Sequence, residues 1–96
     1  MKVKFYFREE PITWCKGNEI SEITKVNRAI IEKVYNKIID IPCLPTKEMQ
    51  VDICSFHDIF GFTTNEMEWI DDCFYHVTNI MIRPDYLEVW LDEENP

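Results

Sequence analysis

Apolar and polar residues alternate without a break over residues 2–8, with Val3, Phe5 and Phe7 on one side and Lys2, Lys4, Tyr6 and Arg8 on the other. A period of two is that of a strand with one buried face. After a segment containing Pro11 and Gly17 the period changes. Ile20, Ile23, Ile30, Ile31, Val34 and Ile38 recur at helical spacings, with Glu19 and Glu22 early and Lys33 and Lys37 late. That periodicity, with a charge order that suits the helix dipole, predicts an amphipathic helix ended by Pro42 and Pro45.

Val51 and Ile53 predict a second strand near residues 50–55. A second helix is predicted to begin at residue 64, because Thr63 and Glu66 stand as a capping box and Phe62 and Met67 as a hydrophobic staple. Met67, Ile70, Phe74 and Val77 would be its buried stripe. Met67 and Trp69 also alternate with acids, which supports a competing reading of strands that turn at Asp71 and Asp72; the two helix-start signals weigh against it. The chain then reads as a hairpin, with strands near 77–82 and 86–92 joined around Pro84 and Asp85.

The last strand sorts into Leu87, Val89 and Leu91 on one face and Tyr86, Glu88, Trp90 and Asp92 on the other. The second set complements Lys2, Lys4, Tyr6 and Arg8, and opposite charges across neighbouring strands are mildly stabilising, so the first and last strands are predicted to pair or lie close. The fold class that follows is α+β in a single domain over residues 1–96. It is a two-layer sandwich of order β-α-β-α-β-β, with a four-stranded mixed or antiparallel sheet and two helices on one face.

Composition narrows the class. Hydrophobic residues make up 46% of the chain, enough to offset the entropy of ordering despite the net charge of −8. No apolar stretch approaches the ~18 residues a membrane helix needs, and the N-terminus lacks the apolar core of a secretion signal. The expectation is a cytoplasmic protein whose cysteines, Cys15, Cys43, Cys54 and Cys73, stay reduced.

The charge is unevenly distributed. Residues 1–50 carry nine Lys or Arg against seven Asp or Glu, whereas residues 51–96 carry one basic residue, Arg83, against eleven acids. Self-repulsion of that size is relieved by a cationic partner. Glu68, Asp71 and Asp72 share one face of the predicted second helix, with Trp69 and Tyr75 beside them as candidate anchors. Together with the outer residues Tyr86, Glu88, Trp90 and Asp92 of the last strand they form the candidate partner-binding set. The plainer reading is a solvated acidic face. Tyr6, Tyr86 and Trp90 would form an exposed aromatic patch unless a helix or the Trp14 loop covers them, and a homodimer through that face is one consequence.

Two Cys-x-x-His pairs, Cys54 with His57 and Cys73 with His76, supply the ligand types of a tetrahedral zinc site, though standard sites pair Cys with Cys or His with His. Residues three apart share a face on a helix but not on a strand, which weakens the Cys54 pair. Catalysis has less support. Gly17 and Gly61 are the only glycines, too few for a phosphate-cradling loop, and Ser21 and Ser55 stand in no nucleophile elbow. Asp71 and Asp72 lack the loop of alternating oxygen ligands that a calcium site needs. Direct nucleic-acid binding is disfavoured by the sign of the charge.

The expectation is therefore a small, non-enzymatic acidic module without a cofactor. It would dock on a basic, nucleic-acid-binding surface of another protein and inhibit it, as a nuclease immunity protein or a phage anti-defence protein does. A zinc-stabilised module built on Cys54, His57, Cys73 and His76 is the alternative.

Overall fold

The computed structural model describes residues 1–12, 20–70 and 74–93. Strand β1 is Lys2–Phe7, helix α1 Ile20–Tyr35, and strands β2 and β3 are the two-residue Ile39–Asp40 and Gln50–Val51. A 3₁₀ turn over Ile53–Phe56 leads into the short helix α2, His57–Phe60. Helix α3 is Thr64–Ile70, and strands β4, Tyr75–Ile82, and β5, Leu87–Glu93, are the last described elements. The fold is α+β with a mixed sheet in the order β2-β1-β5-β4-β3.

The sheet is organised around the pair predicted from sequence. β1 runs parallel to β5 in a register that sets Val3, Phe5 and Phe7 beside Leu87, Val89 and Leu91. All of these but the half-buried Leu87 are core residues, and they meet Val26, Ile30 and Val34 of α1. The other pairs are antiparallel, and the β4–β5 ladder shifts between Val77 and Asn79, so that Thr78 sits in a bulge.

Among the described residues, five strands stand where four were expected and three helices where two were expected. α1 stops at Tyr35 instead of running through Ile38, which is exposed, and the next two residues turn into the sheet, Ile39 beside Val3 and Asp40 beside Lys2. β-branched residues in succession fit an edge strand as well as a helix stripe, and here strand pairing wins. The bond from Ile41 N–H to the Met1 carbonyl, 2.8 Å, prolongs it. The second strand is only Gln50–Val51, because Ile53 turns inward and is fully buried in the 3₁₀ turn. Gly61 ends α2 in the left-handed region at φ +74°, where its N–H reaches the His57 carbonyl at 2.8 Å. Open space surrounds a Cβ at this position, so backbone conformation alone favours glycine here.

The capping box at the start of α3 is formed as read. The Glu66 carboxylate accepts from the Thr63 N–H at 2.8 Å, and the Glu66 N–H donates to Thr63 Oγ1 at 3.2 Å. The stripe assigned to this helix fails at its second half. α3 is described as far as Ile70, Phe74 is exposed outside any helix, and Val77 lies in β4. The alternation beginning at Tyr75 belongs to a strand that pairs with β3 on one side and β5 on the other.

Two buried polar contacts fix the chain entering the segment before α1. The Asn27 carboxamide, on α1, accepts from the Ile12 N–H at 2.8 Å and donates to the Ile12 carbonyl at 2.9 Å, standing in for a strand neighbour. The Tyr75 hydroxyl donates to the Pro11 carbonyl at 2.7 Å. Asn27→Leu keeps the volume and orphans both Ile12 backbone groups, so we expect a loss of about 2 to 4 kcal/mol in urea unfolding; a loss within experimental error of zero would show that the carboxamide clamp is dispensable.

Glu66 also ties α3 to α1, with Lys33 Nζ 2.5 Å from its Oε1. Burial pushes this carboxyl up, but the Lys33 ammonium and the Thr63 N–H outweigh burial and hold it below its ordinary value. A depressed carboxylate stabilises the fold above its unfolded pKa and loses that contribution as pH falls. The stability difference between wild type and Glu66→Gln is expected to be largest near neutral pH and to shrink through the acid range; a pH-independent difference would contradict the ion pair.

Candidate binding surface

The polar residues of β1 and β5 lie on the sheet face opposite α1. Lys4 stands beside Glu88 and Tyr6 beside Trp90. Arg8, just past β1, reaches Asp92 with Nη1 3.1 Å from Oδ2. The Tyr6 and Trp90 rings stack at 5.1 Å with 21° between their planes, and Tyr35 at the end of α1 adds a third ring 5.0 Å from Tyr6. The Tyr35 hydroxyl serves the β1 edge as well. It accepts from the Phe7 N–H at 3.3 Å and donates to the Phe7 carbonyl at 3.1 Å.

Side chains of the sheet cover much of this face. Lys4 Nζ lies 5.5 Å from the Tyr6 ring centre and 5.8 Å from that of Tyr86, within cation–π range. Glu88 is only 7% exposed and is met by Arg83 Nη2 at 3.4 Å. Burial pushes the Tyr6 phenol up to about 12, helped by its hydrogen bond with Tyr86 and by the Glu88 charge. Tyr6, Tyr86 and Trp90 are half-buried, with Tyr35 of α1 beside Tyr6. Beside them, at the Thr78 bulge, Arg8, Thr78, Asn79 and Trp90 line an open cavity of ≈ 350 Å³. Guanidinium, hydroxyl, carboxamide and indole there offer binding and stacking groups, as bulges often present at sites.

The expected partner-binding residues separate into three groups. Tyr86, Glu88, Trp90 and Asp92 come together on the sheet, but Glu88 and Asp92 are matched by Arg83 and Arg8 of the same chain. Trp69 and Tyr75 are core residues at 3% and 1% exposure, so as placed they offer no anchor to a partner. Trp69 falls on the inward side of α3 with Glu66 and Ile70, and Tyr75 begins the core face of β4. Glu68 is exposed on α3, whereas Asp71 and Asp72 lie outside the described residues.

The zinc set is not assembled from what is described. Cys54 packs against the core from the 3₁₀ turn, and His57 sets Nδ1 3.2 Å from Asp58 Oδ1. His76 stands beside Asp92 on β4, with its Nδ1 buried and unpartnered. Cys73 lies outside the described residues, among which no group of three or more His, Cys, Asp or Glu is arranged to hold an ion.

Sequence reading placed Lys4 on this face but missed Tyr35, Thr78, Asn79 and Arg83 as members of the surface. The hairpin offered a signal for Arg83, which precedes the turn as Glu88 follows it. Thr78 and Asn79 depend on the bulge, which no residue type announces. Protein-family models, curated proteins and solved structures were compared with the chain, and none matches it.

A raised phenol pKa means that the neutral hydroxyl is favoured in the fold. That stabilisation is complete below the ordinary tyrosine value and is lost as pH rises through the folded one. In an alkaline absorbance titration one tyrosine, absent in Tyr6→Phe, is expected to ionise near pH 12; ionisation of all four tyrosines of the chain together near pH 10 would contradict the packing of this face.

Proposed function

We propose that the chain is a small non-enzymatic binding protein that docks on a basic, nucleic-acid-binding surface of another protein and blocks it, in the manner of a nuclease immunity or phage anti-defence protein. One observation carries the reading. Between Lys47 and Arg83 there is no Lys or Arg, and this run holds Asp52, Asp58, Glu66, Glu68, Asp71 and Asp72 besides Glu48. Glu66 is held by Lys33 of α1, which lies outside the run.

Asp52, just before the 3₁₀ turn, Asp58 on α2 and Glu68 on α3 are exposed. Ile59, 49% exposed, stands next to Asp58 as an apolar contact within this acidic run. Such a field attracts a cationic surface and sets association rate more than lifetime. The matched carboxylates Glu88 and Asp92 contribute little to it, which moves the docking set from the sheet to the helical segment.

The test uses purified basic, nucleic-acid-binding proteins, nucleases among them, as immobilised partners in a kinetic binding assay. We expect association that slows with salt, and about tenfold slower association for the triple variant Asp52→Asn, Asp58→Asn, Glu68→Gln, with dissociation little changed. Binding that is indifferent both to salt and to these three substitutions would overturn the electrostatic reading.

A further inference from the structure

The β4–β5 hairpin projects beyond the core. Ile82 is 83% exposed and Met81 42%, at the end of β4 that leads into the turn. β3 covers the outer edge of β4 only at its start. Gln50 and Val51 pair with His76 and Tyr75, and Val77 exchanges bonds of 2.8 and 2.9 Å with Glu48 and Met49. No described strand lies beside residues 79–82 on that side.

The direction of the free backbone groups follows from the hairpin closure. Arg83 N–H donates to the Tyr86 carbonyl at 2.9 Å, so Arg83 faces β5 and, by alternation, so does Met81. Ile80 and Ile82 therefore turn their N–H and C=O groups outward. The Ile80 N–H has only the adjacent Asn79 side chain as acceptor, at 3.1 Å. An edge of this kind is usually guarded by charge or proline. Here Asn79, Ile80, Met81 and Ile82 carry no charge, and Pro84 comes only after the edge has ended.

We infer that this edge binds a second copy of the chain, β4 against β4 in antiparallel pairing about a two-fold axis at Met81. In that register Ile80 of each copy lies opposite Ile82 of the other, so every outward backbone group faces a complementary one. Arg83 meets Asn79, and no like charges meet. The paired stretch, residues 79–83, fits between the β3 contact at Val77 and the turn at Pro84, so neither copy displaces its own β3. Exposed Ile82 and Met81 leave water together with Ile80.

The local charges suit such an encounter despite the net −8. β4 contains no carboxylate, Arg83 is matched by Glu88, and the acids from Asp52 onward follow β3 in the chain. The proposal is independent of the docking function, since it uses none of those acids.

Sedimentation and light scattering on the intact chain test it. Wild type is expected to reach twice the 11.6 kDa chain mass with rising concentration. Ile82→Lys should remain at chain mass with an unchanged melting temperature, because the side chain it replaces is exposed. In a Cys43→Ser background, Met81→Cys should link two copies through the substituted position under mild oxidation, since the axis brings these residues face to face at a distance a disulfide spans. Ile82→Cys should link far less. A wild type that stays at chain mass at its highest soluble concentration, a dimer that survives Ile82→Lys, or equal cross-linking at both positions would each overturn the inference.

Discussion

The parallel ladder between β1 and β5 is the contact on which the other layers depend. It joins the two ends of the described chain at the middle of the sheet, and no local element can form it. Once Val3, Phe5 and Phe7 lie beside Leu87, Val89 and Leu91, α1 has an apolar surface to cover. The same register brings Lys4 to Glu88, Tyr6 to Trp90 and Arg8 to Asp92 on the opposite face. Core and polar face are thus two consequences of one alignment, and a slip by one residue would exchange them.

That alignment was legible because period-two patterning at both ends sorted side chains into apolar and complementary charged sets. The capping box at Thr63 and Glu66 was legible for a similar reason, as two local signals agreed on one start. Helix ends were harder to read. α1 stops before Ile38 because Ile39 pairs with Val3, and α3 stops before Phe74 because Tyr75 and Val77 pair across β4. In each case a contact distant in sequence decides between helix and strand for β-branched and aromatic residues that suit both.

The candidate surface divides along the same line between local pattern and distant contact. The acidic run after Lys47 is visible in the sequence, which places no Lys or Arg within it, and Lys33 reaches it from α1 at Glu66. Glu88 and Asp92 look equally acidic on paper, yet Arg83 and Arg8 neutralise them across the hairpin and the parallel ladder. Trp69 and Tyr75 show the converse. Position beside acids suggested exposure, whereas the helix phase and the β4 pleat turn both inward. Net charge alone therefore overstates the negative field of the sheet.

Native-state amide hydrogen exchange tests the central ladder most directly. If β1 and β5 hold the fold together, their mutually bonded amides should exchange only by global unfolding and be the slowest in the chain, while the hairpin beyond Asn79 exchanges much faster. Exchange of the β1 amides well before those of β4 and β5 would mean that the hairpin persists without the first strand, and the account would be wrong at its base.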